Sequence, residues 1–218
     1  MIKGIIFDID GVLLDSLGIW NDLGARYLRS IGVKPEKGLN EILFSMSMEQ
    51  GAAYLNEHYG LQKTDADVLA GITKMIEDYY FVEVLPKPGA KELLEFMKAK
   101  GIRMTAATSS PRIHVEKALE RNGMLCYLER IFTNTEVGAS KHSPEIYDQA
   151  AAYMGTMPEE TLVFEDSFYA LKTAVKAGYV TVGVYDKTGE TDQEGVKNTG
   201  KYYVTRPDEF IAVFETIK

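Results

Sequence analysis

The chain has 218 residues, 45% of them hydrophobic and 26% charged, a normal globular composition. That length can bury a sizeable core, as one large domain or as a core with an insertion. A formal charge of −8 argues against a nucleic-acid-binding surface, which needs basic patches, yet it leaves room for a small anionic substrate at a site of opposite local charge. The single cysteine, Cys126, can form no internal disulfide and reads as buried filler in a reducing cytoplasm. No stretch approaches the roughly 18 apolar residues of a membrane span. The apolar run after Lys3 is cut by Asp8 and Asp10, so no signal peptide is expected.

Residues 2–7 (IKGIIF) are short, apolar and β-branched, the pattern of a buried strand. From about Ser16 to Tyr80 the texture changes: LGIWNDLGARYLRSIG and MEQGAAYLNEHYG carry apolar residues at helical spacing with glycines near their ends, and three to five helices without a strand are expected. LPKPGA then breaks the pattern as a return hinge. Beyond it the rhythm alternates. AKELLEFMKAKG, SPRIHVEKALERNG, SPEIYDQAAAYMG and SFYALKTAVKAG read as helices, and IRMTAA, LERIFTN, TLVFE and YVTVGVY as strands. GETDQEGVKNTG reads as a surface loop, and YYVTRPDEFIAVFETI as a small strand with a closing helix. Alternation of this kind predicts an α/β fold with a doubly wound parallel sheet, interrupted after its first strand by a helical insertion.

In such a sheet, ligands bind at the carboxyl ends of the strands. The first strand ends in Asp8 and Asp10, IRMTAA in Thr108, Ser109 and Ser110, and TLVF in Glu165, Asp166 and Ser167; Lys141 lies in the loop after the third strand. Acidic residues from two loops suit a hard cation such as Mg²⁺, which takes oxygen ligands. Hydroxyls, free backbone N–H groups and a lysine suit an anion's oxygens. Asp8, Glu165, Asp166 and a dianionic phosphate carry about five negative charges, which Mg²⁺ and Lys141 reduce to about two. A carboxylate nucleophile splits one hard step into two, and a second carboxyl group can give and take the proton. Phosphate-monoester hydrolysis calls for that much apparatus, since enhancements reach ~10²¹.

Each feature has a plainer reading. The D-x-D-G stretch could be a turn or a calcium loop, Thr108 to Ser110 and Glu165-Asp166 could be helix caps, and Lys141 a solvated side chain. Asp15 reads as ordering the chain's entry into the insertion. His58 and His114 read as surface residues without partners, and His142 as a loop residue or a pocket contact. Trp20, Phe44, Met46 and Met48 line a pocket or pack between the inserted helices.

Together the four segments resemble the haloacid dehalogenase (HAD) superfamily, in order and over nearly the whole chain. Asp8-Ile9-Asp10-Gly11-Val12, extended through Leu14-Asp15-Ser16, is similar to its opening signature; Thr108 falls at the second motif, Lys141 of KHSPEIY at the third, and Glu165-Asp166-Ser167 at the acidic fourth. The helical insertion resembles the small cap of the β-phosphoglucomutase and phosphoglycolate phosphatase-like group. The resemblance implies a Rossmann-like core of residues 1–15 and 85–218 and an all-helical cap of residues 16–84. It makes Asp8 the nucleophile and a Mg²⁺ ligand, and Asp10 the acid/base, also binding metal through its carbonyl. Asp166 and Glu165 become metal ligands, with Thr108, Ser109 and Lys141 holding the phosphoryl group. The chain departs from the pattern at His142, where proline is usual after the lysine, and at Phe168 and Ala170.

The expected activity is a Mg²⁺-dependent, cytoplasmic phosphatase of a small phosphorylated metabolite that forms an aspartyl-phosphate, with no nucleic-acid or membrane partner; a monomer is compatible with the sequence. The alternative is a β-phosphoglucomutase-like sugar-phosphate mutase. Met48 falls near where the mutases carry a phosphate-binding arginine, which favours the phosphatase. A non-catalytic binder of a phosphometabolite is the third reading, disfavoured by the intact Asp8, Asp10, Lys141 and Asp166.

Overall fold

The computed structural model describes residues 1–217, which contain one six-stranded sheet and the helices around it. Its strands are β1 (Gly4–Phe7), β2 (Arg103–Thr108), β3 (Arg130–Thr133), β4 (Thr161–Glu165), β5 (Val180–Val184) and β6 (Tyr202–Val204), in the order β3-β2-β1-β4-β5-β6 with every pair parallel. The expected doubly wound parallel sheet is present. β1 is central and all four of its residues are buried, which is why it reads as an unbroken apolar run instead of an alternating one.

The chain divides into two compact units, Met1–Leu17 with Val84–Lys218, and Gly18–Glu83. The second is all-helical: α1 (Leu23–Ser30), α2 (Leu39–Leu43), α3 (Met48–His58) and α4 (Asp65–Asp78), preceded by a short 3₁₀ segment and ended by a π-helical turn at Tyr79–Glu83. Capping boxes at Ser47 with Gln50 and at Thr64 with Asp67 start α3 and α4. Its core is Ile19, Tyr27, Leu28, Leu39, Leu55, Val68 and Ile72 with their neighbours. His58 lies on its surface but has partners: its Nε2 is 2.9 Å from Glu36 and its ring stacks on Tyr54.

In the first unit, α5 (Ala90–Ala99), α6 (Arg112–Arg121), α7 (Asn134–Val137), α8 (Glu145–Met154) and α9 (Phe168–Lys176) follow, and α10 (Gln193–Thr199) and α11 (Phe210–Phe214) complete the set. α8 and α9 supply Ile146, Tyr147, Ala150, Met154 and Ala174, which pack with Ile6, Ala107 and Val163 of the sheet. Three expectations are corrected. GETDQEGVKNTG is not all loop, because Asp192 accepts from the Gly195 N–H at 2.8 Å and caps α10, a side-chain device that apolar periodicity does not register. Cys126 is exposed, on a three-residue 3₁₀ turn none of whose residues is buried. His114 is not without a partner. No helix among the described residues is long and apolar enough to cross a membrane.

Candidate active site

Parallel register brings the acidic residues together. Phe7 pairs with Phe164, and the Asp8 N–H donates to the Phe164 carbonyl at 2.9 Å, so the next residues on each strand, Asp8 and Glu165, stand level. One carboxylate oxygen each from Asp8, Glu165 and Asp166 lie within 4.8 Å of one another, and all three residues are buried. Gly11, directly after Asp10, has φ +82°, a conformation that glycine takes without penalty. A Cβ there would stand 2.5 Å from Asp166 Oδ2, so the turn of the first motif backs directly onto the fourth.

Lys141 is 3% exposed and donates to Asp8 Oδ1, with its Nζ 2.7 Å from Glu165 Oε1. The Tyr147 hydroxyl also donates to Glu165 Oε1, at 2.7 Å. Asp10 is held differently. Its Oδ1 accepts from Ser16 at 2.6 Å and its Oδ2 from Ser110 at 2.7 Å, so its carboxyl group is turned to two hydroxyls. Thr108 is fully buried and its Oγ1 accepts from the Ser110 N–H at 3.0 Å. Exposed Ser109 accepts from Asn134 Nδ2 at 2.8 Å. The helix-cap reading of these hydroxyls is corrected: Pro111 is the N-cap of α6 and no side chain caps it. His142 stacks on Tyr169 with ring centroids 4.4 Å apart.

The electrostatics follow from burial. Burial pushes the Asp8 carboxyl well above the usual carboxylate range; Lys141 opposes this, while Glu165, Asp166 and Asp10 add to it. Asp166 is pushed up to about 7, first by burial and then by Glu165, against Lys141. Burial works against the Lys141 charge, but Asp8 and Glu165 outweigh it and hold the ammonium above the ordinary lysine range. Burial, then Glu165, raises Tyr147, which keeps its hydroxyl a donor.

These residues fit a divalent cation. Glu165 Oε2 is buried with no hydrogen-bond partner, although Oε1 has two. The buried charged side chains among the described residues are Asp8, Glu165, Asp166 and Asp186 against Lys87 and Lys141, which leaves two negative charges uncompensated when all are ionised. A hard dication coordinated by carboxylates removes that imbalance.

Sequence reasoning passed over Lys87, Tyr147, Asn134 and Asp186, and it named Ser16 and Ser110 without pairing them with Asp10. Ser16 and Tyr147 lie inside the quoted motif segments, where their hydroxyls were a usable signal. Lys87 and Asp186 carried none, because a lysine beside a proline and an aspartate after a strand are ordinary surface residues until the fold buries them.

A doubly wound parallel sheet with a buried carboxylate cluster and a lysine at the ends of its strands defines an α/β protein with a candidate cation and anion site. The haloacid dehalogenase-like hydrolase profile matches residues 2–178, and the chain belongs to that family, as its four motifs led us to expect. It is 27% identical over 220 residues to the phosphorylated carbohydrates phosphatase of Thermotoga maritima, covering 99% of each chain, and 29% identical over 184 residues to hexitol phosphatase A of Escherichia coli, covering 84% of this chain and 82% of the other. The crystal structure of a candidate β-phosphoglucomutase from Thermotoga maritima superposes with a TM-score of 0.87 at 25% identity over 100% of both chains. The chain is thus a hydrolase of the phosphatase kind.

Proposed function

We propose that this chain is a Mg²⁺-dependent phosphatase of a small phosphorylated metabolite, of the sugar or sugar-alcohol class, and that it works through an aspartyl-phosphate on Asp8. The observation that carries the reading is the state of Glu165: one oxygen takes Lys141 and Tyr147, the other is buried with no hydrogen-bond partner, and the residue shares a buried carboxylate cluster with Asp8 and Asp166. The substrate class rests on relatives named for phosphorylated carbohydrates and hexitol phosphates.

Asp8, Glu165 and Asp166, with the Asp10 carbonyl, would hold the cation, which when bound neutralises their charge and that of the phosphoryl oxygens. Lys141, Thr108 and Ser109 orient the phosphoryl group. An Asp8 carboxylate oxygen attacks phosphorus, the bond to the leaving oxygen breaks, and Asp10 gives that oxygen its proton. Asp10 then takes a proton from water, the resulting hydroxide attacks phosphorus, and the bond to Asp8 breaks to release inorganic phosphate. Ser16 and Ser110 fix the orientation of the Asp10 carboxyl group by donating to its two oxygens.

The phosphatase reading is favoured over the mutase. Trp20, Phe44, Met46 and Met48 gather on a cavity of about 290 Å³ within the helical unit. None of the residues lining it is basic, whereas a mutase must hold a second phosphate. Incubation with a panel of phosphorylated sugars and sugar alcohols, with and without EDTA, is expected to release phosphate only with Mg²⁺. Isomerisation of a sugar 1-phosphate without release would decide for the mutase, and turnover in EDTA would refute the metal.

The raised Asp166 pKa gives a pH dependence. A carboxyl raised to about 7 binds its proton more tightly folded than unfolded. Its contribution to metal-free stability is therefore greatest in acid and is lost as pH rises toward 7. A cation competes with that proton, so its affinity rises with pH through about 7. The Mg²⁺-induced rise in melting temperature is expected to be larger at pH 8 than at pH 5.5; equal rises would contradict the assignment of Asp166 as a ligand.

A further inference from the structure

Among the described residues, one more ion pair is buried outside the carboxylate cluster. Lys87 and Asp186 have side chains only 9% and 3% exposed, with Nζ 2.8 Å from Oδ2. A buried lysine is costly unless its N–H groups are answered, and this one also donates to the Gly11 carbonyl. Asp186 is answered as completely: its Oδ1 accepts from the backbone N–H groups of Thr188 at 2.7 Å and Gly189 at 3.0 Å. These bonds shape residues 186–190 into a tight loop whose Gly189 lies against the cluster, since a Cβ there would be 3.0 Å from Asp166 Oδ2. The loop's Glu190 then accepts from the Phe168 N–H at 2.9 Å, at the start of α9 and two residues after Asp166.

These bonds and the loop backbone form one path. It runs from Gly11, next to Asp10, to Lys87 and Asp186, along the 186–190 loop to Glu190, and on to Phe168, two residues after Asp166. Lys87 itself is anchored by its backbone, as its N–H donates to the Leu13 carbonyl at 2.9 Å and Pro86 bridges to Leu14. Two acidic loops carrying Asp8, Asp10, Glu165 and Asp166 repel each other before a cation arrives. We propose that the Lys87–Asp186–Glu190 path is a brace that sets the spacing of the two acidic loops in the metal-free protein, which makes Lys87, Asp186 and Glu190 positioning residues for the cation and for Asp8. This inference rests on the reading of those four acidic residues as the metal site.

The test measures Mg²⁺ affinity of the metal-free protein by titration calorimetry, alongside kcat and KM for p-nitrophenyl phosphate. In the double variant K87M/D186N both charges go together, so no lone charge is buried, and the amide oxygen introduced at position 186 can still accept from Thr188 and Gly189. Its melting temperature without metal is expected to stay near that of the wild type. Its Mg²⁺ affinity is expected to fall on the order of 10–100-fold, the range seen when groups behind metal ligands are lost. kcat is expected to fall with KM nearly unchanged. Glu190→Ala, at a partly exposed position, cuts the far end of the path with little risk to folding and is expected to weaken Mg²⁺ about threefold or more, while Glu190→Gln, which keeps the acceptor, restores it. If the double variant does not fold, the Glu190 pair decides. Wild-type Mg²⁺ affinity and kcat in the folded double variant, or in Glu190→Ala, would overturn the brace and leave the metal site standing. A wild-type protein that binds no Mg²⁺ would overturn both.

Discussion

Asp8→Asn is expected to abolish turnover of p-nitrophenyl phosphate and of any natural substrate, with a loss on the order of 10⁴-fold or more in kcat. The amide has nearly the same shape, can still accept from Lys141 and leaves β1 paired as before, so the loss would not be one of folding. What would disappear is the anionic oxygen that the proposed mechanism directs at phosphorus. Burial and three neighbouring carboxylates all oppose that negative charge. Lys141 favours the ionised form, and a cation adds to its effect. Asparagine has no charge to stabilise and cannot form the acyl-phosphate. Circular dichroism and melting curves near those of the wild type, with no phosphate released, is the expected outcome. Normal activity in this variant would end the nucleophile assignment.

Lys141→Met is expected to damage both stability and activity. The side chain is almost fully buried between Asp8 and Glu165, and methionine fills similar volume without the charge. Removing one partner of a buried ionic group leaves the others uncompensated, at about 3–5 kcal/mol. For a protein of this size, 1 kcal/mol moves the melting temperature by about 2–4 °C, so the metal-free variant should melt on the order of 10 °C lower. Mg²⁺ should recover part of this, because it supplies positive charge to the same carboxylates. kcat/KM should nevertheless stay at least about 100-fold down, since the phosphoryl oxygens lose a charged donor that is in place before reaction. A variant that melts and turns over like the wild type would show Lys141 to be a bystander.

The local features were legible because they are local. A fully buried parallel strand shows itself as a mostly apolar run, as in β1 and β4, while β2 and β5 were visible as short segments rich in small or β-branched residues. The helices of the first unit were marked by glycines at positive φ, as at Gly123 and Gly155. Where periodicity is the only guide, a helix started by a side-chain cap is missed, which explains α10. Burial of an isolated residue type is equally illegible. Cys126 is among the most often buried kinds of residue and is exposed here; Lys87 is among the least often buried and is almost enclosed.

The sequence by itself determined the family, the alternation of strand and helix, and the acidic, hydroxyl and basic residues that sit where strands end. Each motif and element is a pattern of neighbours only a few positions apart, and the family follows from four such motifs in order along the chain. Tertiary structure decided which oxygens of those residues are occupied and which is free. Glu165 Oε2 is left unpaired because Tyr147 and Lys141 converge on Oε1, and Asp10 is turned to Ser16 and Ser110, the second of which is 100 residues away. Lys87 and Asp186 meet across 99 residues of chain. Parallel register and the burial of β1 between β2 and β4 fix these meetings, and no short-range pattern encodes them because the partners interact only once the sheet has formed.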